Sequence, residues 1–210
     1  MVFPCYYNAP LSYYSIIIES GEAPAVELYD HYSKQTYRNR CRILGANGVI
    51  DLVIPIIKNH GRKTLLKDVK IDYDSNWPNI HWQSIISSYS SAPFFEFFKE
   101  AYAEIYSKQF TFLADLNISL LAITLEQLQL ARDIQKTKQF TGQDPDLDLS
   151  LAIHPKKVFS HRHFQVLSAP YYQVFSERHG FVSELSILDL LFNEGPNAAS
   201  ILKKSLKIKN

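Results

Sequence analysis

Three arginines occupy alternate positions in the stretch YSKQTYRNRCRILGANG: Arg38, Arg40 and Arg42, with Asn39 between the first two and His31 and Lys34 just upstream. On an extended strand alternate residues share a face at a spacing of about 7 Å, a reach suited to a diphosphate. Guanidinium forks hold phosphate or carboxylate oxygens in pairs. The same residues also suit a solvated strand face with Asp51, Asp68 or Asp72 as cross-strand partners. Lys34 and His31 add a cation and an acid–base group where the chain enters that strand. A second group with chemical potential is His81, beside Trp82 in NWPNIHWQS. Near the start of a helix, its imidazole is biased toward the neutral form and can act as a base. Alternatively it hydrogen-bonds a backbone carbonyl and does no more.

Other constellations are weaker. His161 and His163 in HRH share a face if extended, but a metal needs a third ligand, and only His154 or an aspartate is on offer; no metal site is assigned. Cys5 and Cys41 stand alone, and Cys41 falls on the inferred core face as a buried thiol. The sequence contains no GxSxG, Walker A loop, GxGxxG or HExxH, so serine hydrolase, P-loop, dinucleotide-binding and zincin chemistries have no support. With 7 glycines in the chain, any phosphate must be held by side chains. No cofactor is assigned.

The bulk numbers agree with a locally built site. The 210 residues carry 22 basic and 21 acidic side chains, so no global field draws the chain to nucleic acid or anionic lipid. A hydrophobic content of 46% suits an ordinary globular core. The N-terminal stretch does not read as a secretory signal, no apolar run is long enough to span a membrane, and two cysteines make no disulfide framework; a cytoplasmic location is expected. Aromatic residues are in excess, with 13 Tyr and 13 Phe, and core packing is their main expected use.

These groups must be positioned by a mixed α/β (α+β) fold, a single domain over residues 1–210 with a mixed or antiparallel sheet covered by several helices. APLSYYSIIIESG reads as a helix ended by Gly21 and PAVELYDHY as a buried strand. RNRCRILGANGVIDLVIPI reads as a hairpin with a type I′ turn at Asn47-Gly48. That register sets Arg42 opposite Val53 and Arg40 opposite Pro55. Cys41, Ile43, Ile50, Leu52 and Ile54 then share the buried face, and the arginines share the other with Asp51. LLKDVKIDY alternates as a third strand. A helix with Pro78 in its first turn carries His81 and Trp82. The next has a stripe of Phe94, Phe97, Phe98, Ala101, Tyr102 and Ile105. From Phe110 to Leu130 the chain is nearly apolar, with Asn117 an internal cap. Residues 132–157 turn polar and are expected to form a long loop or lid in which LDLSLAI makes a short edge strand. Short helices follow, broken at Gly195-Pro196, and the lysine-rich end reads as a solvated helix tail.

HYSKQTYRNRCRILGANGVIDLVIPI resembles the WbqC-like proteins, whose pattern has a Ser-Lys pair, then Asn-Arg, one residue, Arg-Ile, a Gly turn and a strand ending in Pro. Here these are Ser33-Lys34, Asn39-Arg40, Arg42-Ile43, Gly48 and Pro55. The resemblance continues through KDVKIDYDSNWPNIHWQSIISSYSSAPFFEFF and GFVSELSILDLLFNEG. Many members begin with a His-Gln-Pro-like segment; this chain has FPCYYNAPLSYY instead. The resemblance implies work on a nucleotide-linked or phosphorylated sugar in surface polysaccharide, O-antigen type, biosynthesis. Two classes follow. In one, a transferase moves an acyl, aminoacyl or glycosyl group with His81 or His31 as base, while Lys34, Arg38, Asn39, Arg40, Arg42 and Trp82 hold the anionic small molecule. In the other, a non-catalytic binding or assembly protein uses the same basic face for an acidic ligand or partner.

Overall fold

Short strands cluster near the N-terminus and a run of three long helices follows them, as the changing hydrophobic period predicts. The computed structural model describes residues 1–57, 63–130, 133–142, 148–167 and 169–209. In chain order the elements are β1 (Val2–Pro4), α1 (Leu11–Ser20), β2 (Ala25–Glu27), β3 (Arg40–Gly45), β4 (Gly48–Val53), a 3-10 turn (Leu66–Asp68), α2 (Trp77–Tyr89), α3 (Phe95–Ser107) and α4 (Leu113–Gln127). There follow β5 (Gln135–Lys136), α5 (Leu149–Ala152), β6 (Phe164–Val166), α6 (Ser176–His179), α7 (Ile187–Glu194), a 3-10 turn (Gly195–Asn197), α8 (Ala198–Lys204) and β7 (Leu206–Ile208). The fold is mixed α/β, with three small sheets among the described residues. β1, β2 and β5 form a parallel set, while β3–β4 and β6–β7 are antiparallel pairs.

One connected core runs through these layers, and the aromatic excess is spent in it. Tyr7, Tyr13, Tyr14, Tyr89 and Tyr102 are all fully buried. A buried phenol needs a partner, and several are visible: Tyr13 donates to the Pro4 carbonyl at 3.0 Å, and the Tyr102 hydroxyl lies 3.0 Å from Thr124 Oγ1. Helix α1 ends as expected, with Gly21 at φ 68° and its N–H on the Ile18 carbonyl.

The hairpin is present, but its register differs from the expected one. Ala46 and Asn47 make the connection, and Arg42 faces Asp51 while Arg40 faces Val53. A type I′ turn at Asn47-Gly48 needs positive φ at both residues. Gly48 has it, at 113°, and Asn47 does not, so the chain reverses one residue earlier. The pairing therefore moves by two positions, which leaves every side chain on its predicted face. Cys41, Ile43, Leu52 and Ile54 are buried, and Arg40, Arg42 and Asp51 point the other way.

Other expectations are corrected. LLKDVKIDY is not a strand: residues 66–68 curl into the 3-10 turn, and the rest touches neighbours at single bridges, Ile56–Ile71 and Lys70–Phe112. Asn117 does not interrupt α4; it is buried, and its amide donates to the Arg38 carbonyl at 2.8 Å, tying the helix to the start of β3. On α3, Phe97 is 77% exposed, because the inward stripe centres on Phe95, Phe98, Tyr102, Ile105 and Tyr106. LDLSLAI begins a helix, since Asp148 accepts the Ser150 N–H at 2.7 Å as an N-cap and so overrides the alternation of leucines. Leu149 is buried, Leu151 is exposed, and Leu147 lies outside the described residues. The lysine-rich end is a helix tail in part: Lys203 and Lys204 form the exposed last turn of α8, but the chain then turns into β7, which pairs with β6.

Within residues 132–157, β5 lies on β2, and the buried Glu27 carboxylate accepts from Thr137 Oγ1 at 2.9 Å and from Thr141 Oγ1 at 2.7 Å. This part of the expected loop is thus hydrogen-bonded to the parallel sheet.

Candidate functional site

The hairpin separates the two groups of residues singled out from sequence. On its core face, His81 is 4% exposed, and its Nδ1 lies 2.9 Å from the Tyr7 hydroxyl. Tyr7 in turn meets the Tyr106 hydroxyl at 2.6 Å, and Asn8 donates to Tyr106 at 2.9 Å. Burial pushes the His81 pKa down to about 4, opposed only by a backbone hydrogen bond to Val53. The imidazole is therefore neutral at ordinary pH and already has a partner. Trp82 is half-buried and stacks on Tyr106 and Phe95.

The arginines lie on the other face and differ among themselves. Arg38 is 4% exposed and ion-paired with Asp30. Asn39 is buried, with its amide donating to the Ile54 carbonyl at 2.8 Å. Arg40 and Arg42 flank Asp51, each 3.7 Å from a carboxylate oxygen. Lys34 and His31 are exposed, His31 bridging to Leu65 through the backbone. Of the predicted binding residues, Arg42 lines a cleft on the outer side of the hairpin, and Trp82 lines a separate one beside α2.

The Arg42 cleft, of about 650 Å³, is walled by Arg42, Lys156, Lys157, Phe159, Gln165 and Glu184, with Lys209 at one end. A smaller recess continues from it, formed by Tyr37, Arg42, His154, Lys157, Phe159 and Glu184. Chain segments far apart in sequence meet here because the Ser186 N–H donates to the Arg42 carbonyl at 2.7 Å and the Ile187 N–H to the Ala9 carbonyl at 3.0 Å. These bonds dock the segment before α7 against the hairpin and so bring Glu184 beside Arg42. The β6–β7 pair supplies Gln165 and leads to Lys209, whose Nζ donates to the His161 carbonyl at 2.9 Å. Lys156 reaches Gln35 Oε1 at 2.6 Å, closing the side near Lys34.

The electrostatics favour an anion. Arg42, Lys156, Lys157 and Lys209 face one carboxyl, Glu184. The His154 pKa is lowered by burial and then by the charges of Lys157, Lys156, Arg38 and Arg40. The buried arginine and its neighbour thus contribute field to the recess without lining it. Burial pushes the Tyr37 hydroxyl up to about 12, with Arg42 opposing.

Glu184 has two features that sequence reasoning missed. Its backbone sits at φ 55°, in the left-handed region that a residue with a Cβ rarely occupies. Burial also raises its pKa, partly opposed by Ser12 at the start of α1. A strained carboxyl biased toward protonation, in a cationic cleft, is equipped to exchange a proton with a bound molecule. No local motif marks it in GFVSELS. The adjacent cations of HPKK, Lys156 and Lys157, form a visible pair in the sequence, but their placement in one cleft with Arg42 depends on tertiary contacts.

His161 and His163 have ring centroids 5.9 Å apart, and among the described residues no group of three His, Cys, Asp or Glu could hold a metal ion. Both cysteines are free and buried, with the Cys5 thiol pushed up to about 12 by burial. Among the described residues no helix is long and apolar enough to cross a membrane.

Small sheets around an arginine-bearing hairpin, with a cation-lined cleft on its outer face, make this a mixed α/β protein. The chain belongs to the WbqC-like protein family, which matches residues 6–160. It is also similar to "Uncharacterized protein Rv1507c" of Mycobacterium tuberculosis (strain ATCC 25618 / H37Rv), 25% identical over 200 residues, covering 84% of this chain and 86% of that protein. No solved structure matches it. The family match includes Arg42 and His154 to Lys157; Glu184 and Lys209 lie beyond it.

Proposed function

We propose that this cleft binds the phosphate groups of a nucleotide-linked or otherwise phosphorylated sugar, and that the protein is a cytoplasmic transferase of surface polysaccharide, O-antigen type, biosynthesis. The observation that carries the reading is the convergence of Arg42, Lys156, Lys157 and Lys209 on one cleft that also holds Glu184. The guanidinium and ammonium groups neutralise the phosphate oxygens and hold them as the leaving group accumulates charge. Phe159 offers an aromatic wall for a base or sugar ring. As the acceptor hydroxyl or amine attacks, the new bond to the transferred acyl, aminoacyl or glycosyl group forms, and the bond to the leaving group breaks. The acceptor proton passes to the Glu184 carboxylate.

This reading replaces His81 by Glu184 as the base, because His81 is buried on the opposite face of the hairpin and bonded to Tyr7. The family resemblance supports the pathway and the cationic cleft supports the ligand class. Isothermal titration against a panel of nucleotides and nucleotide sugars tests it. Binding at micromolar to millimolar Kd, weakened at least about tenfold by Arg42→Ala or Lys157→Ala, is expected. No binding across the panel, or binding indifferent to both substitutions, overturns it.

A further inference from the structure

We infer that a second cleft, between the start of α2 and the end of α3, binds a neutral carbohydrate. It measures about 750 Å³ and shares no lining residue with the cationic cleft. Its walls include the half-buried rings of Trp82 and Tyr73, and around them stand Asp74, Asn76, Asn79 and Gln109, all exposed. The Tyr73 hydroxyl is already committed, donating to the Phe110 carbonyl at 3.2 Å and accepting the Phe110 N–H at 3.0 Å, so Tyr73 contributes its ring.

The lining chemistry selects the ligand. Asn76 precedes α2 at the N-cap position yet makes no side-chain capping bond. Among the described residues, the side chains of Asn79 and Gln109 have no hydrogen-bond partner either. Three amides, each able to donate and accept, thus line the same cleft as the aromatic rings. A pyranose presents C–H faces to such rings and paired hydroxyls to such amides. The charges argue against an anion here: the one lining cation, Lys108, is paired with Glu104 at 2.6 Å, and Asp74 is acidic. The volume falls within the range of small-molecule sites and accommodates more than one sugar ring.

The inference does not depend on the proposed transferase activity, and its test keeps the two apart. Trp82 is one of two tryptophans, and the other, Trp77, is 4% exposed, so a change in intrinsic fluorescence on titration reports on Trp82. Neutral cello-, malto- and chito-oligosaccharides are the probes, with saturation-transfer NMR on the same mixtures. At least one series is expected to saturate with a Kd near the millimolar range. Trp82→Ala removes packing against Phe95 and Tyr106 and can unfold the chain, so the deciding variants are Asn79→Ala and Gln109→Ala, on exposed positions. Each is expected to weaken binding about fivefold or more, while Arg42→Ala leaves it unchanged. No saturation by any series at about 20 mM overturns the inference. So does binding that survives the Asn79→Ala/Gln109→Ala double variant undiminished, or that disappears with Arg42→Ala.

Discussion

His81 should make the protein sensitive to acid in a way that one substitution isolates. Its pKa falls from the ordinary 6.5 to about 4 because burial disfavours the imidazolium. Between these values the unfolded chain holds a proton that the folded chain has lost, so acidification favours unfolding. Stability contributed by the neutral imidazole is complete above about pH 6.5 and is lost as pH falls toward 4. At about 1.4 kcal/mol per pH unit, the full effect is about 3 kcal/mol, and about 2 kcal/mol of it appears between about pH 7.5 and pH 5. The wild-type curve alone conceals this. Burial pushes the Asp189 carboxyl up to about 6, so over part of the same window the folded state holds a proton that the unfolded state has released, and acid stabilises. Comparison with His81→Gln, which keeps an acceptor for the Tyr7 hydroxyl, removes one of these opposing contributions. Urea denaturation at both pH values should show the stability gap between wild type and variant changing by about 2 kcal/mol in favour of the variant at the lower pH. A gap that is the same at both values refutes the buried, neutral histidine.

Four further outcomes follow from the structure. Glu184→Gln should lower turnover about a hundredfold or more while nucleotide-sugar affinity, read by calorimetry, stays within about threefold. Glu184→Gly should abolish turnover yet raise thermal stability by about 0.5–1 kcal/mol, because glycine relieves the left-handed backbone. Gly195→Ala should cost more than about 2 kcal/mol in urea melts, since an added Cβ at φ 53° would run into the Phe94 ring. Trypsin should cut after the exposed Lys156 or Lys157 more slowly when a nucleotide sugar is bound, as mass spectrometry of the fragments will show.

Much of this fold was legible from residue pattern. The hairpin faces, the glycine stop of α1, the Pro78 start of α2 and the break at Gly195-Pro196 all follow from local rules. What failed was decided elsewhere. The hairpin register turned on which residues of Ala46-Asn47-Gly48 took positive φ: Gly48 alone does, so the expected type I′ turn does not form. LLKDVKIDY has strand alternation, but it contacts its neighbours only at single bridges, so no ladder forms. The site was half visible: Arg42 and the HPKK cations carry their charge openly in the sequence. Glu184 does not, because its left-handed backbone and the burial that raises its pKa exist only in the folded chain. His81 looked reactive from its residue type, and its burial behind Tyr7 could be seen only in three dimensions.

The alternating arginines also act before any ligand arrives. A slip of β3 by one residue would turn Arg40 and Arg42 inward, against Tyr7, Tyr106 and the neutral His81, and put Cys41 and Ile43 into water. Burying two unpaired guanidinium groups there would cost several kcal/mol, whereas a strand with leucines at those positions would tolerate either pairing. The alternating charges therefore act as a proofreading device for the hairpin. Variants that neutralise both arginines risk losing the unique register, so any loss of ligand binding they cause must be read beside a structural probe.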